Sequence, residues 1–361
     1  MRGRKLVMQE DKLDITELLR KSYELGASDL HISVGSPPQI RVDGLLRAMD
    51  GYSIDGDWVD REDTKSMSES LLGEERTEQF HSMGEMDFSV LVEGCARFRV
   101  NVFRQRGEIS IAARAIPSVV PTIEELGLPT ILKQLALKPQ GLILVTGPTG
   151  SGKSSTVAAM IDYINRTQCK HIVTLEDPIE FIYSNRSSLV QQREVGSDTS
   201  SFAKGIRAAL RQDPDVILVG EMRDPETISA AVTAAETGHL VFATLHTTDA
   251  PQTVDRIIDA FQGQQQGQIR TQLAGVLAAV ISQRLFLRAG GSGRMCATEI
   301  LINTPAIANL IRSDKVHQMK SMMQTGREFG MHTLESNLRD LLKSGAIDAA
   351  SAKSYMTGAN N

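Results

Sequence analysis

Alternating and helically spaced apolar residues divide the chain into two differently built halves. From Ile15 to Gly26 leucines recur at helical spacing, and Ser28-Asp29-Leu30-His31-Ile32-Ser33-Val34 then alternates like a half-buried strand. Pro37-Pro38 breaks that strand, Gln39 to Val42 resumes it, and Asp43-Gly44 supplies the positive-φ turn of a hairpin. Residues Arg61 to His81 are polar and compatible with a helix. Strands follow at Met86 to Val92, Ala96 to Arg104 and Glu108 to Ile116, separated by Glu93-Gly94 and Arg106-Gly107 turns. These elements predict an α+β domain on an antiparallel sheet, residues 1–120. In Arg97-Phe98-Arg99-Val100-Asn101-Val102 the period of two sends Phe98, Val100 and Val102 to the core and Arg97 and Arg99 to the other face. Arg114 is similarly placed among Ile111, Ala113 and Ala115, and a solvated sheet face accounts for all three arginines without a further role.

Pro117, Pro121, Pro129 and Pro139 mark a linker, residues 121–140, with one short helix near Ile131 to Leu137. Beyond it, apolar strands alternate with amphipathic helices, which predicts a parallel sheet wrapped by helices over residues 141–361. The strands are Gly141 to Thr146, His171 to Leu175, Leu189 to Val195, Asp215 to Gly220 and Leu240 to Leu245. The helices are Ser155 to Arg166, Ser201 to Arg211 and Glu226 to Glu236. From Ala250 onward the pattern is mostly helical, with its longest helix at Gln268 to Phe286 and one strand at Met295 to Ile302. Gly263-Gln264-Gln265-Gln266-Gly267-Gln268 reads as a polar loop.

Composition removes several function classes. At 361 residues there is room for two or three domains. A net charge of −5 and an aromatic content of 4% offer neither a basic groove nor a stacking platform, so nucleic acid is not expected as a partner. The three cysteines, Cys95, Cys169 and Cys296, have no paired spacing, as expected of free thiols in a reducing, cytoplasmic compartment. The basic start, Met1-Arg2-Gly3-Arg4-Lys5, runs directly into acidic residues instead of the apolar core of a secretory signal. No stretch approaches the roughly twenty apolar residues of a membrane span, so direct membrane insertion is not expected.

The stretch Gly147-Pro148-Thr149-Gly150-Ser151-Gly152-Lys153-Ser154 lies between an apolar strand and a helix, the setting of a P-loop. Its glycines let backbone N–H groups turn toward phosphate oxygens, Lys153 reaches the β- and γ-phosphates, and the Ser154 hydroxyl binds magnesium, with Ser155 following in the same turn. ATP or GTP is the expected ligand. Such a site needs a carboxylate at the end of a neighbouring buried strand, and Val216-Ile217-Leu218-Val219-Gly220-Glu221 presents Glu221. Because the usual residue there is Asp, Glu221 suits magnesium held through water. Hydrolysis also needs a group that orients water, for which Thr174-Leu175-Glu176-Asp177-Pro178-Ile179-Glu180 offers three carboxylates, and spacing does not choose Glu180 over Glu176. His239 and His246 bracket the strand Leu240 to Leu245. His246 would face the crevice at the carboxyl ends of the strands, where it could sense the γ-phosphate or serve only structurally.

The P-loop, Leu175-Glu176-Asp177-Pro178-Ile179-Glu180-Phe181, Asp213 to Asp224 and Glu236-Thr237-Gly238-His239-Leu240-Val241-Phe242-Ala243-Thr244-Leu245-His246-Thr247 together resemble the secretion-type hexameric ATPases, and within them the retraction ATPases of type IV pili. The similarity runs from Gly26-Ala27-Ser28-Asp29-Leu30-His31 to Gly330-Met331-His332-Thr333-Leu334. It implies a PAS-like N-terminal domain, a RecA-like α/β ATPase domain and a homohexamer with ATP and Mg2+ at the subunit interfaces. It further implies that Glu180 is the catalytic glutamate, Glu221 the Walker B carboxylate, and His239 with His246 a histidine pair. Arg97, Arg99 and Arg114 would reach a neighbour's nucleotide. An inner-membrane platform protein would be the partner, with other pilus ATPases as further ones, and twitching motility the output, at the cytoplasmic face of the inner membrane. Two departures stand out: Ala306-Ile307-Ala308-Asn309-Leu310-Ile311-Arg312-Ser313 lacks the Arg and final Glu of the retraction motif, and Met1 to Gln9 extends ahead of the usual start. Assembly or secretion ATPases of the same superfamily, which carry a four-cysteine zinc module, an accessory nucleotide-binding subunit, and a RecA-like DNA motor are the alternatives. The missing module, the intact Glu180 and Glu221, and the acidic balance argue against each in turn.

Overall fold

The computed structural model describes residues 14–42, 45–52, 58–116, 119–290 and 293–348, with 350, 352 and 355. The expected Asp43-Gly44 turn and the Met1 to Gln9 extension lie outside the described residues. The chain divides into two compact units, residues 1–118 and 119–361.

In the first unit, α1 (Ile15–Glu24) begins where the Asp14 carboxylate accepts the Thr16 N–H at 3.0 Å, and it buries Ile15, Leu18 and Leu19. The strands β1 (Asp29–Ser33), β2 (Gln39–Val42) and β3 (Leu45–Ala48) follow. Next comes α2 (Arg61–Met83), opened by a reciprocal capping box between Asp60 and Asp63 and interrupted at Gly73, whose φ of 68° leaves the helical region. The strands β4 (Glu85–Leu91), β5 (Arg97–Gln105) and β6 (Glu108–Ile116) complete a six-stranded antiparallel sheet in the order β3-β2-β1-β6-β5-β4. Phe98, Val100, Val102, Ile111 and Ala113 are buried against the helices, so the period of two holds.

The second unit starts with a segment read above as a linker. Ile123, Leu128, Leu132 and Leu135, the last two in α3 (Ile131–Ala136), are instead core residues, because apolar side chains between the prolines find a sheet face to cover. There follow β7 (Gly141–Thr146), α4 (Lys153–Thr167), β8 (His171–Glu176), β9 (Leu189–Glu194), α5 (Phe202–Ala209), β10 (Val216–Val219), α6 (Pro225–Glu236), β11 (Leu240–Leu245), α7 (Ala250–Asp259) and α8 (Gln264–Val276). The chain closes with β12 (Leu277–Leu287), β13 (Arg294–Ile302), α9 (Pro305–Arg312), α10 (Met319–Thr325) and α11 (Leu334–Lys343). The seven-stranded sheet runs β13-β12-β7-β11-β10-β8-β9, parallel except for the antiparallel pair β12 and β13. Both faces are covered by helices, and β7, β10 and β11 are buried at every position.

Two expectations change here. The helix expected at Gln268 to Phe286 ends at Val276, and the chain continues as β12 between β7 and β13. Leu277-Ala278-Ala279-Val280-Ile281 is buried on both faces, and a run apolar on all sides carries no period by which helix and strand differ. The polar stretch from Gln264 to Gln268 is the first turn of α8 rather than a loop, since glutamine is a good helix former and Gly263, at φ 57°, makes the turn.

Candidate active site

The loop between β7 and α4 depends on glycine at specific places. Gly147, Gly150 and Gly152 have φ of 145°, 76° and 87°. A Cβ on Gly147 would stand 2.4 Å from the Gln283 carbonyl oxygen and 2.6 Å from Ser151 Oγ, so β12 packs directly against the loop backbone. Thr149 and Gly150 are exposed at the crest, with Pro148 partly buried, and the Ser151 N–H bonds the Pro148 carbonyl at 3.1 Å. Lys153 opens α4, and its Nζ donates to the carbonyls of Gly147 at 2.8 Å and Pro148 at 3.2 Å, arching across the mouth of the loop. Ser154 and Ser155 follow, both partly buried, in the first turn. Burial pulls the Lys153 ammonium below its usual range, while the charges of Glu221 and Glu180 act in the opposite direction. All three therefore share one electrostatic site.

Glu221 follows the end of β10. Its Oε1 accepts Arg223 Nε at 2.6 Å and its Oε2 accepts the terminal Arg223 nitrogen at 2.7 Å, a two-pronged clamp, and His246 Nε2 lies 3.0 Å from Oε1. Burial alone would raise the Glu221 carboxyl. The bond from Arg223 and the charges of His246, Arg223 and Lys153 outweigh it and hold the group below the usual carboxylate range. His246 follows the C-terminal end of β11, beside β10. The Met222 N–H bonds the Thr244 carbonyl at 3.1 Å and Thr244 Oγ1 bonds the Gly220 carbonyl, which locks the two strand ends together.

The acidic segment separates its carboxylates by burial. Glu176, the last residue of β8, is 8% exposed and accepts from Thr174 Oγ1 at 2.6 Å, Gln192 Nε2 at 3.1 Å and the Glu180 N–H at 3.4 Å. Burial pushes its carboxyl up. It is a bracket for the loop, not a group open to solvent. Ile179 and Phe181 are buried on either side of Glu180, and the Ile179 N–H donates to Glu194 Oε2 at 3.2 Å. Glu180 is thereby displayed outward between two anchors, within electrostatic reach of Lys153.

His239 does not join this cluster. It precedes β11 at the end opposite His246, roughly 23 Å away at about 3.3 Å per residue over the seven steps that span the strand. Its Nδ1 lies 2.9 Å from the Ala234 carbonyl and 3.2 Å from Thr237 Oγ1, closing the C-terminus of α6. The expected histidine pair is thus divided between the two edges of one sheet.

In the first unit, Arg99 and Arg114 stand directly opposite each other on β5 and β6. Arg114 Nε bonds Asp29 Oδ1 at 2.7 Å, Arg99 lies 3.9 Å from Asp87 Oδ1, and Arg97 Nε bonds Ser89 Oγ at 3.1 Å. Burial of Asp29 is outweighed by hydrogen bonds from Ser28 and Arg114, leaving its carboxyl below the usual range. Both Arg99 and Arg114 are well exposed, and like charges directly opposite on neighbouring strands work against the sheet.

Sequence reasoning passed over two residues. Arg223 was visible as the cation two places after Glu221, in the segment Gly220-Glu221-Met222-Arg223-Asp224. Gln283, within the stretch read as helix, donates its Nε2 to the Ser151 carbonyl at 2.8 Å, and its one sequence signal is the polar trio Ser282-Gln283-Arg284 inside an apolar run.

Residues 10–345 match the family described as Type II/IV secretion system protein. The chain is 50% identical over 341 residues to the type IV pilus retractation ATPase PilT of Pseudomonas aeruginosa, covering 94% of this chain and 97% of that one. It is 48% identical over 316 residues to a twitching motility protein of Neisseria gonorrhoeae, covering 88% and 83% respectively. Among solved structures, the pilus retraction motor PilT with bound ADP superposes with a TM-score of 0.87 at 48% identity, covering 95% of this chain and 96% of that one. A strand, phosphate loop and helix backed by a clamped carboxylate, within a match that spans nearly the whole length, place this chain in the Type II/IV secretion system protein family.

Proposed function

We propose that the protein is the ATP-hydrolysing motor of type IV pilus retraction. The observation that carries this reading is the convergence of Lys153, Glu180, Glu221 and His246 at the carboxyl edge of one parallel sheet behind a P-loop. Its support is the relatives' printed roles in pilus retraction and twitching motility, at near-full length on both sides.

Backbone N–H groups of Thr149 to Ser154 cradle the phosphates and Lys153 swings from its own loop carbonyls to the β- and γ-phosphates. Oxygen donors suit Mg2+, and the Ser154 hydroxyl with the Glu221 carboxylate fit it, Glu221 through water since Arg223 and His246 already occupy its oxygens. When bound, Mg2+ would neutralise phosphate charge. Glu180, whose side chain is exposed while its backbone N–H is held by Glu176, orients the attacking water. His246 links the γ-phosphate to Glu221. A homohexamer would bring Arg97, Arg99 and Arg114 to a neighbouring subunit's nucleotide, which would explain why like charges face each other on an exposed sheet.

No described helix is long and apolar enough to cross a membrane. A motor at the cytoplasmic face of the inner membrane would therefore engage the pilus through a platform protein embedded there, alongside other pilus ATPases. The test has two parts. Lys153→Ala should abolish ATP turnover in folded protein, and deletion in the host should leave more surface pili with less motility. A Lys153→Ala protein with normal turnover defeats the ATPase assignment, and loss of pili on deletion defeats the retraction one.

A further inference from the structure

Glu299 sits in β13, only 6% exposed, and takes no part in the cluster above. Its carboxylate accepts from two helix starts at once: the Ala250 N–H at 2.9 Å through Oε1 and the Leu334 N–H at 3.4 Å through Oε2. Ala250 and Leu334 are the first residues of α7 and α11. The first four N–H groups of a helix lack partners within it, and each of these helices already has its own capping side chain, Asp249 on the Gln252 N–H and Thr333 on the Ser336 N–H. Glu299 takes a further donor from each, and the partial positive ends of two helices converge on one buried carboxylate. Burial and the nearby Asp249 charge raise its carboxyl, while the two backbone bonds oppose them.

The start of α7 is also the end of the loop that carries His246. The connection is His246-Thr247-Thr248-Asp249, and it is stiff: Thr247 Oγ1 lies 2.7 Å from Thr253 Oγ1, which donates to the Asp249 carbonyl at 2.7 Å. His246 in turn lies 3.0 Å from Glu221. On the other side, the segment leading into α11 is fixed to β13, with Ile300 and His332 exchanging backbone bonds of 2.9 and 3.1 Å and the Asn337 side chain accepting the Thr298 N–H at 2.8 Å. The Glu299 carboxylate is therefore the point at which a C-terminal element hydrogen-bonded to β13 meets the root of the His246 loop.

We propose that Glu299 is a positioning residue for hydrolysis: by holding the first turn of α7, and by anchoring that turn to α11, it sets His246 against Glu221. This rests on the reading of the Glu221 and His246 cluster as the ATP site. Glu299→Gln keeps the size and one acceptor oxygen but removes the charge from both helix starts and turns an amide N–H donor toward one of the two backbone N–H groups, so one of the two bonds is lost. The expected result is a kcat lower by about tenfold with KM changed less than about threefold, since a misplaced catalytic neighbour affects the transition state more than the phosphate cradle.

The experiment measures ATPase kcat, KM and melting temperature for the full-length protein, for Glu299→Gln, Glu299→Asp and His246→Ala, and for each Glu299 variant combined with His246→Ala. Glu299→Asp retains the charge and should recover part of the loss. If Glu299 acts through His246, its substitution should add little to the residual turnover of His246→Ala. Effects that multiply, or a normal kcat in Glu299→Gln with only a lowered melting temperature, overturn the proposal. If Glu299→Gln does not fold, the same comparison is made with Glu299→Asp. Lys153→Ala serves as control. Turnover in that control removes the ATP-site reading and this inference with it, whereas an inactive control beside a normal Glu299→Gln removes the inference alone.

Discussion

Replacing Gly147 by alanine is the sharpest test of how the phosphate loop is built. The residue has φ 145°, a region that side chains avoid, and strain of that kind costs about 1–3 kcal/mol. The added Cβ would also stand 2.4 Å from the Gln283 carbonyl and 2.6 Å from Ser151 Oγ. The serine hydroxyl can rotate away. The carbonyl belongs to the backbone of β12, paired on both sides with β7 and β13, and it cannot withdraw without breaking the sheet. Forcing extra volume into such a contact costs about 1–3 kcal/mol, so Gly147→Ala should lose roughly 2–6 kcal/mol. Gly150→Ala is the matched control: its φ is 76°, but nothing lies within 4 Å of the added Cβ, so only backbone strain of about 1–2 kcal/mol remains. The assay is urea unfolding followed by far-ultraviolet circular dichroism, together with binding of a fluorescent ATP analogue. Trp58, the single tryptophan, lies in the first unit and monitors that unit separately. Gly147→Ala should be less stable than Gly150→Ala and should bind the analogue far more weakly, because relief of the clash moves the N–H groups that meet phosphate. Equal stability and equal affinity for the two variants would refute the claim that β12 sets the shape of the loop.

Three further outcomes are expected. Glu180→Gln should bind ATP and hydrolyse almost none, whereas Glu176→Gln should turn over slowly and melt lower, since its amide would point a donor at Gln192 Nε2 or at the Glu180 N–H; steady-state kinetics and melting curves separate the two, and a normal rate in Glu180→Gln would contradict the assignment. Mixing Lys153→Ala subunits with Arg99→Ala or Arg114→Ala subunits, each inactive alone, should restore partial ATPase if the arginines act across a subunit interface, and full activity of the arginine variants by themselves would exclude that role. Bonds from Lys170 at 2.8 Å and the His171 N–H at 2.9 Å outweigh the burial of Asp215 and depress its folded-state carboxyl value. Its stabilisation is then complete above the ordinary value of 3.8 and lost as pH falls below it, so the melting-temperature deficit of Asp215→Asn should shrink on acidification through that range, and a deficit independent of pH would contradict the linkage.

The parts of this protein legible from sequence are those whose physics is local. A buried strand, three glycines at fixed spacing and a helix beginning at Lys153 are contained in adjacent residues, as is the alternation that sends Arg97 and Arg99 away from Phe98 and Val100. Glu221 was legible because the end of an apolar run sets its place. Glu176 and Glu180 could not be told apart because they occupy one short window of equal chemistry. What separates them is Gln192 on β9 and the burial of Ile179 and Phe181, all properties of the folded sheet. The resemblance paired the two histidines, yet they flank one straight strand and lie at its opposite ends, so only His246 meets Glu221. Gln283 was hidden for a related reason. Its strand, β12, is enclosed between β7 and β13, and burial on both faces erases the polar and apolar period by which a strand announces itself. Local spacing therefore determined the strand, glycine loop and helix that begin the candidate site. Long-range packing, through strand order and burial, decided which of the equivalent candidates lie beside Lys153 and Glu221.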